Sequence, residues 1–175
     1  MNVKSERELP KITILDNLDE IKEIDKCDML SFCVEAPRHY EEASKLASSV
    51  SISYPQPQAI IVAGMGGSAI GGELLKDLVR DKIRVPIEVC REYSLPAYAD
   101  EKTLIAVVSY SGETEESLSV FLDAIKRRCM IVCISSGGAL GEFAGKLGVP
   151  HLLVPSRMAP RATLPYLFVP LLVLL

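Results

Sequence analysis

From residue 56 onward, apolar residues fall in short, mostly unbroken runs separated by longer stretches with helical spacing. The runs are Ala59 to Ala63, Ile87 to Cys90, Leu104 to Val108, Met130 to Ile134 and Leu152 to Val154. The spacing between them predicts helices over about 68–80, 114–127 and 139–147. Strands that are apolar at consecutive positions, rather than alternating, are buried on both faces. Their alternation with helices predicts a parallel sheet covered on both sides, an α/β sandwich.

Upstream the period is helical throughout. Leu18, Ile21, Ile24 and Leu30 mark one helix over 16–31, opening after Asp16. Tyr40, Ala43, Leu46, Ala47 and Val50 mark a second over 36–50, with Pro37 near its first turn. The Pro-punctuated SISYPQPQ (51–58) then breaks the pattern. The chain therefore divides into a helical extension (1–55), an α/β domain (56–155) and a trailing segment (156–175). That segment ends in YLFVPLLVLL, apolar throughout and shorter than the roughly 20 residues a bilayer span needs. Such a run needs a cover, either an oligomeric partner or a further domain from which the chain has been cut. The cut is the preferred expectation.

Composition narrows the class. With 175 residues, 49% hydrophobic and no Trp, an aliphatic core needs no disulfide or metal. A net charge of -4 argues against nucleic acid or an anionic membrane as partner. The five cysteines, at 27, 33, 90, 129 and 133, lack CxxC spacing and read as buried, reduced thiols of a cytoplasmic protein. MNVKSERELPK at the start has no apolar segment of the signal-peptide kind.

Chemistry concentrates in the loops at strand ends. AGMGGSAIGG (63–72) contains Gly64, Gly66 and Ala69 in the dinucleotide spacing G-x-G-x-x-G/A. Its glycines allow a sharp turn and close ligand approach, and Ser68 falls near a helix start that favours an anion. SYSGETEES (109–117) sets Ser109, Ser111 and Thr114 around Gly112 at the next strand end. Hydroxyls and helix amides together suit a phosphate dianion, although Ser111 or Thr114 would also serve as a plain helix cap. Glu113, Glu115 and Glu116 read as first-turn, solvent-facing acids.

Two such loops on one sheet suit a single phosphomonoester better than a dinucleotide. The dinucleotide alternative needs a ribose-binding acid about 20 residues on. Glu88 and Glu92 stand near that distance, but the alternative leaves SYSGETEES without a task. ISSGG (134–138) reads as a turn, with Ser135 and Ser136 as bystanders. In PSRMAPRATLPY (155–166), Arg161 is the cation placed to enter a pocket; the plainer reading makes Arg157 and Arg161 surface cations.

AGMGGSAIGG, VVSYSGETEES, ISSGG and PRAT together resemble the sugar isomerase (SIS) domain, over about residues 56–166. More narrowly they resemble the N-terminal half of the bifunctional phosphoglucose/phosphomannose isomerases. The resemblance implies a flavodoxin-like five-stranded parallel sheet with helices on both faces, preceded by the helical extension. It implies a hexose 6-phosphate as ligand, no metal or organic cofactor, and a homodimer in the full-length protein. It assigns the phosphate to Gly67, Ser68, Ser109, Ser111 and Thr114, and the reacting carbons to Arg161. It also places the glutamate base, histidine and lysine of the family in a second SIS domain beyond residue 175. Of the two histidines here, His39 is expected on the surface and His151 at a strand edge, and neither as a catalyst. A non-catalytic SIS module that senses a sugar phosphate is the alternative, and a Rossmann-like nucleotide domain stands behind it.

Overall fold

The computed structural model describes residues 16–175. In chain order its elements are α1 (Leu18–Ile24), α2 (Met29–Val34), α3 (Ala36–Ser48), β1 (Ala59–Ala63), α4 (Gly67–Val79), β2 (Ile87–Cys90), β3 (Thr103–Val108), α5 (Glu115–Lys126), β4 (Met130–Ser135), α6 (Gly138–Leu147), β5 (His151–Leu153), a 3-10 turn (Pro160–Thr163) and α7 (Leu164–Leu174). The chain forms two compact units, Met1–Glu35 and Ala36–Leu175.

In the first unit, the helix expected over 16–31 is two helices. Asn17 caps α1 by accepting from the Asp19 and Glu20 amides. Asp25 then turns its carboxylate onto the Met29 and Leu30 amides, at 2.7 and 2.8 Å. Asp28 takes a left-handed backbone, φ 52°. A short acidic side chain that satisfies local amides competes with helix continuation, and here it starts a new helix.

In the second unit all strand pairings are parallel, in the order β2-β1-β3-β4-β5. This is the flavodoxin-like order that the resemblance implies, and it reverses direction between β1 and β3. Every residue of β3 and β4 is buried. Leu104, Ala106 and Val108 face a core closed by α3, α4 and α7, whereas Ile105 and Val107 face one closed by α5 and α6. The unbroken apolar runs are thus strands with a helix layer on each side. The compact unit reaches back beyond residue 56 to Ala36, because α3 packs along α7.

That packing bears on two expectations. All of YLFVPLLVLL but its last residue lies within α7, and Tyr166, Leu167, Val169, Pro170 and Leu171 are buried. Much of the cover comes from α3 and α4 of the same chain, while Leu172 and Val173 stay exposed. His39 is not a surface residue. It is 7% exposed and its Nδ1 lies 2.9 Å from the Tyr166 hydroxyl, which donates to Glu42 Oε2 at 2.6 Å. These contacts join α3 to α7.

The cysteines are also mixed. Cys90 and Cys133 are buried, with burial pushing the Cys133 thiol up to about 12, but Cys27 and Cys33 are exposed. Among the described residues, no helix is long and apolar enough to cross a membrane.

Candidate anion-binding site

The loops leaving β1 and β3 lie side by side because these strands are neighbours. Gly64 permits this closeness: a Cβ there would stand 2.8 Å from the Val108 carbonyl oxygen. Gly66 makes the turn into α4 with φ 51° and ψ -122°, a conformation that side chains rarely allow. The dinucleotide-like glycines therefore do structural work.

Helix α4 begins at Gly67 with Gly66 as its cap, and no side chain caps it. Helix α5 has Thr114 in the cap position, again without a side-chain bond to its amides. The Thr114 hydroxyl instead meets Ser109 Oγ at 2.9 Å. Two helix N-termini thus face the same region with their first-turn amides uncapped by side chains. Such termini favour negative charge through the helix dipole and the N–H groups left free, although in α4 the Ser68 and Ala69 amides already donate to the Met65 and Gly66 carbonyls, at 2.9 and 3.2 Å.

Between them lies a recess of about 180 Å³, lined by Met65, Gly67, Ser68, Tyr110, Ser111, Thr114, Pro160, Thr163 and Leu167. Of the residues expected to bind phosphate, Gly67, Ser68, Ser111 and Thr114 are at its wall. Ser109 is not. It is 1% exposed and stands behind Thr114, where its Oγ accepts from the Gly112 amide at 3.1 Å. Ser68 Oγ accepts from the Tyr110 amide at 3.3 Å, and Ser111 Oγ accepts from the Glu113 amide at 3.2 Å. Each hydroxyl thereby keeps its own proton to donate. Arg161 is exposed on the 3-10 turn, between the lining residues Pro160 and Thr163 but outside the lining itself.

A third helix N-terminus nearby is occupied. Glu113, expected to face only solvent, accepts from the Ala139 amide in the first turn of α6 at 2.9 Å. Ser135 and Ser136 also have tasks. Ser136 donates both its amide and its hydroxyl to the Tyr110 carbonyl, at 2.9 and 2.7 Å. Ser135 donates to the Gly137 carbonyl and lies 2.9 Å from His151 Nε2. ISSGG is therefore a buttress for the second loop.

The sequence reading missed Tyr110 and Thr163 as lining residues. Tyr110 stands between the two serines of the second loop, so its neighbours offered a positional signal; Thr163, inside PRAT, offered only proximity to Arg161. Glu88, the candidate ribose acid, instead accepts from the Tyr98 hydroxyl. Among the described residues there is no group of three or more His, Cys, Asp or Glu that could hold a metal ion.

No family model matches the chain. Over 140 residues it is 44% identical to a bifunctional phosphoglucose/phosphomannose isomerase of Caldicellulosiruptor bescii, covering 79% of this chain and 41% of that protein. The chain is thus similar to phosphoglucose/phosphomannose isomerases over most of its own length. It spans less than half the length of the curated family members it matches, 34% for the one from Thermoplasma volcanium, which is 37% identical over 112 residues. The chain is also similar to a D-glucosamine-6-phosphate 4-epimerase of Sulfolobus acidocaldarius, 38% identical over 112 residues, covering 63% of this chain and 35% of that protein.

Solved structures agree on the fold. The Vibrio vulnificus NanR protein complexed with ManNAc-6P matches at TM-score 0.59 and 20% identity, over 89% of this chain and 62% of that one. The sugar isomerase domain of an RpiR transcription factor from Sphaerobacter thermophilus matches at TM-score 0.53 and 17% identity, over 78% and 75%.

Proposed function

We propose that the recess holds the phosphate of a hexose 6-phosphate, and that the chain is the phosphate-binding part of an aldose–ketose isomerase. The reaction would interconvert glucose 6-phosphate or mannose 6-phosphate with fructose 6-phosphate. The observation that carries this reading is the meeting of two N-termini without side-chain caps, α4 and α5, at a wall of neutral hydroxyls. That arrangement supplies many donors without a fixed cation, which suits a dianion that must also leave.

With the phosphate between Gly67, Ser68, Ser111 and Thr114, the sugar would extend along Pro160 to Thr163, toward Arg161. Moving the carbonyl between C1 and C2 passes through a cis-enediol(ate), whose negative charge a guanidinium stabilises. The step also needs a base to carry the proton. No acid or imidazole lines the recess. The base is therefore assigned to a part of the protein other than this wall, in a two-domain homodimer like that expected from the family resemblance.

The same observation favours a second reading, in which the chain only binds and senses a sugar phosphate. Calorimetry with fructose 6-phosphate and with NAD tests what both readings share, and binding of NAD alone would sink both. An isomerase assay with glucose 6-phosphate and mannose 6-phosphate, on the protein at the length of its relatives, separates the two. Turnover of glucosamine 6-phosphate in place of these would instead move the protein toward the epimerase.

A further inference from the structure

Tyr110, in the second loop, bonds to each of the other three loops around the recess. Its amide donates to Ser68 Oγ in the first loop, and its carbonyl accepts twice from Ser136 in the third. Its ring packs against the core, and its hydroxyl accepts from the Met158 amide at 2.8 Å in the fourth. Met158 follows Arg157, which holds a left-handed backbone at φ 66°. Three residues further on is Arg161. The segment before the 3-10 turn is otherwise exposed at Pro155, Ser156 and Arg157. A non-glycine residue in that backbone region persists only where its surroundings hold it.

We propose that Tyr110 is a positioning residue, a latch that sets the Arg161 segment against the phosphate cradle. The link is direct: the side chain that fixes Met158 belongs to the loop that carries Ser111 and Thr114. Filling the cradle steadies the second loop, and through the Tyr110 hydroxyl it steadies the turn that presents Arg161. The part concerning sugar binding rests on the proposed function; the latch itself does not.

The test uses Tyr110→Phe, which keeps the ring and the main-chain bonds and removes only the acceptor for Met158. Trypsin cleavage after Arg157 and Arg161, mapped by mass spectrometry, should accelerate about fivefold, as expected for one ordinary, part-buried hydrogen bond. In calorimetry, Tyr110→Phe should weaken fructose 6-phosphate several times more than inorganic phosphate. Combined with Arg161→Ala it should add little, because the two act through the same group. Cleavage no faster than in the unaltered protein would overturn the latch. Equal losses for both ligands, additive with Arg161→Ala, would overturn its coupling to Arg161. If the unaltered protein fails to bind fructose 6-phosphate, the proposed function falls, and the cleavage comparison still decides the latch.

Discussion

Ser109 Oγ and Thr114 Oγ1 stand 2.9 Å apart, the first buried and the second on the wall of the recess. In the proposed binding mode the pair divides labour, with Thr114 meeting the ligand and Ser109 holding Thr114 in its rotamer. Thr114→Val should therefore weaken phosphate or fructose 6-phosphate binding about tenfold, the worth of one lost hydrogen bond to a charged group. Ser109→Ala should also cost at most about 1 kcal/mol of stability, because the Gly112 amide loses its side-chain acceptor and keeps the Ser109 carbonyl at 3.1 Å. Titration calorimetry beside urea unfolding reads both effects. The double variant should lose less affinity than the two single losses combined.

Two glycines of the first loop should respond oppositely to an added methyl group. At Gly67 a Cβ meets nothing nearer than the Pro160 carbonyl at 3.9 Å, but it enters the recess. Gly67→Ala should keep its melting temperature and lose ligand affinity. At Gly64 a Cβ would press on the Val108 carbonyl at 2.8 Å and on Ser68 Cβ at 3.2 Å. Gly64→Ala should lower stability by about 1–3 kcal/mol, the usual cost of overpacking, and weaken binding as well. Equal melting temperatures for the two variants would contradict this assignment.

His151 gives a pH dependence. Burial pulls its pKa below the ordinary 6.5, against a smaller upward pull from the Ser135 backbone. The unfolded chain thus takes up this proton first as pH falls below 6.5. The stability held by neutral His151 is complete above that value and is lost on acidification toward the lower folded pKa. Replacement by Gln should flatten the fall in urea midpoint between about pH 7.5 and about pH 5.5. A His151→Gln profile as steep as the original would place the acid sensitivity elsewhere.

Glu113 offers a fourth test. Its carboxylate holds the Ala139 amide at the start of α6, 26 residues along the chain. Glu113→Gln keeps an acceptor and should be nearly silent. Glu113→Ala uncaps α6 and should cost about 1 kcal/mol in stability, the typical value for a lost cap. Comparing the two variants by thermal unfolding separates capping from mere surface charge.

The sheet was legible in the sequence because β1, β3 and β4 are covered on both faces, so burial alone sets their composition. Strand limits at Ala59–Ala63 and Ile87–Cys90 agree with the apolar runs to the residue. The loops were legible because strand ends that enter helices need turn residues, and hydroxyl residues stood among them. Packing between distant elements was not. Nothing in the spacing of α3 told that Tyr166 would bury His39, or that α3 and α4 would cover α7. Ser109 and Ser111 look alike in sequence, yet a difference of two positions puts one behind the wall and the other on it. The hydroxyl of Tyr110 reaches 48 residues forward, a relation that no local pattern records.

The adjacency of β1 and β3 has a further consequence. Neighbouring strands in any sheet are separated by about 4.8 Å, a distance set by main-chain hydrogen bonding. The two loops that face the recess leave from such a pair, so its gauge is inherited from the backbone and is comparable to the width of a phosphate group. Substitutions in the loops change how firmly an anion is held without changing this gauge. On the proposed function, new sugar preferences would arise at the open side, around Pro160 to Thr163, while the anion end stays constant as a fixed handle.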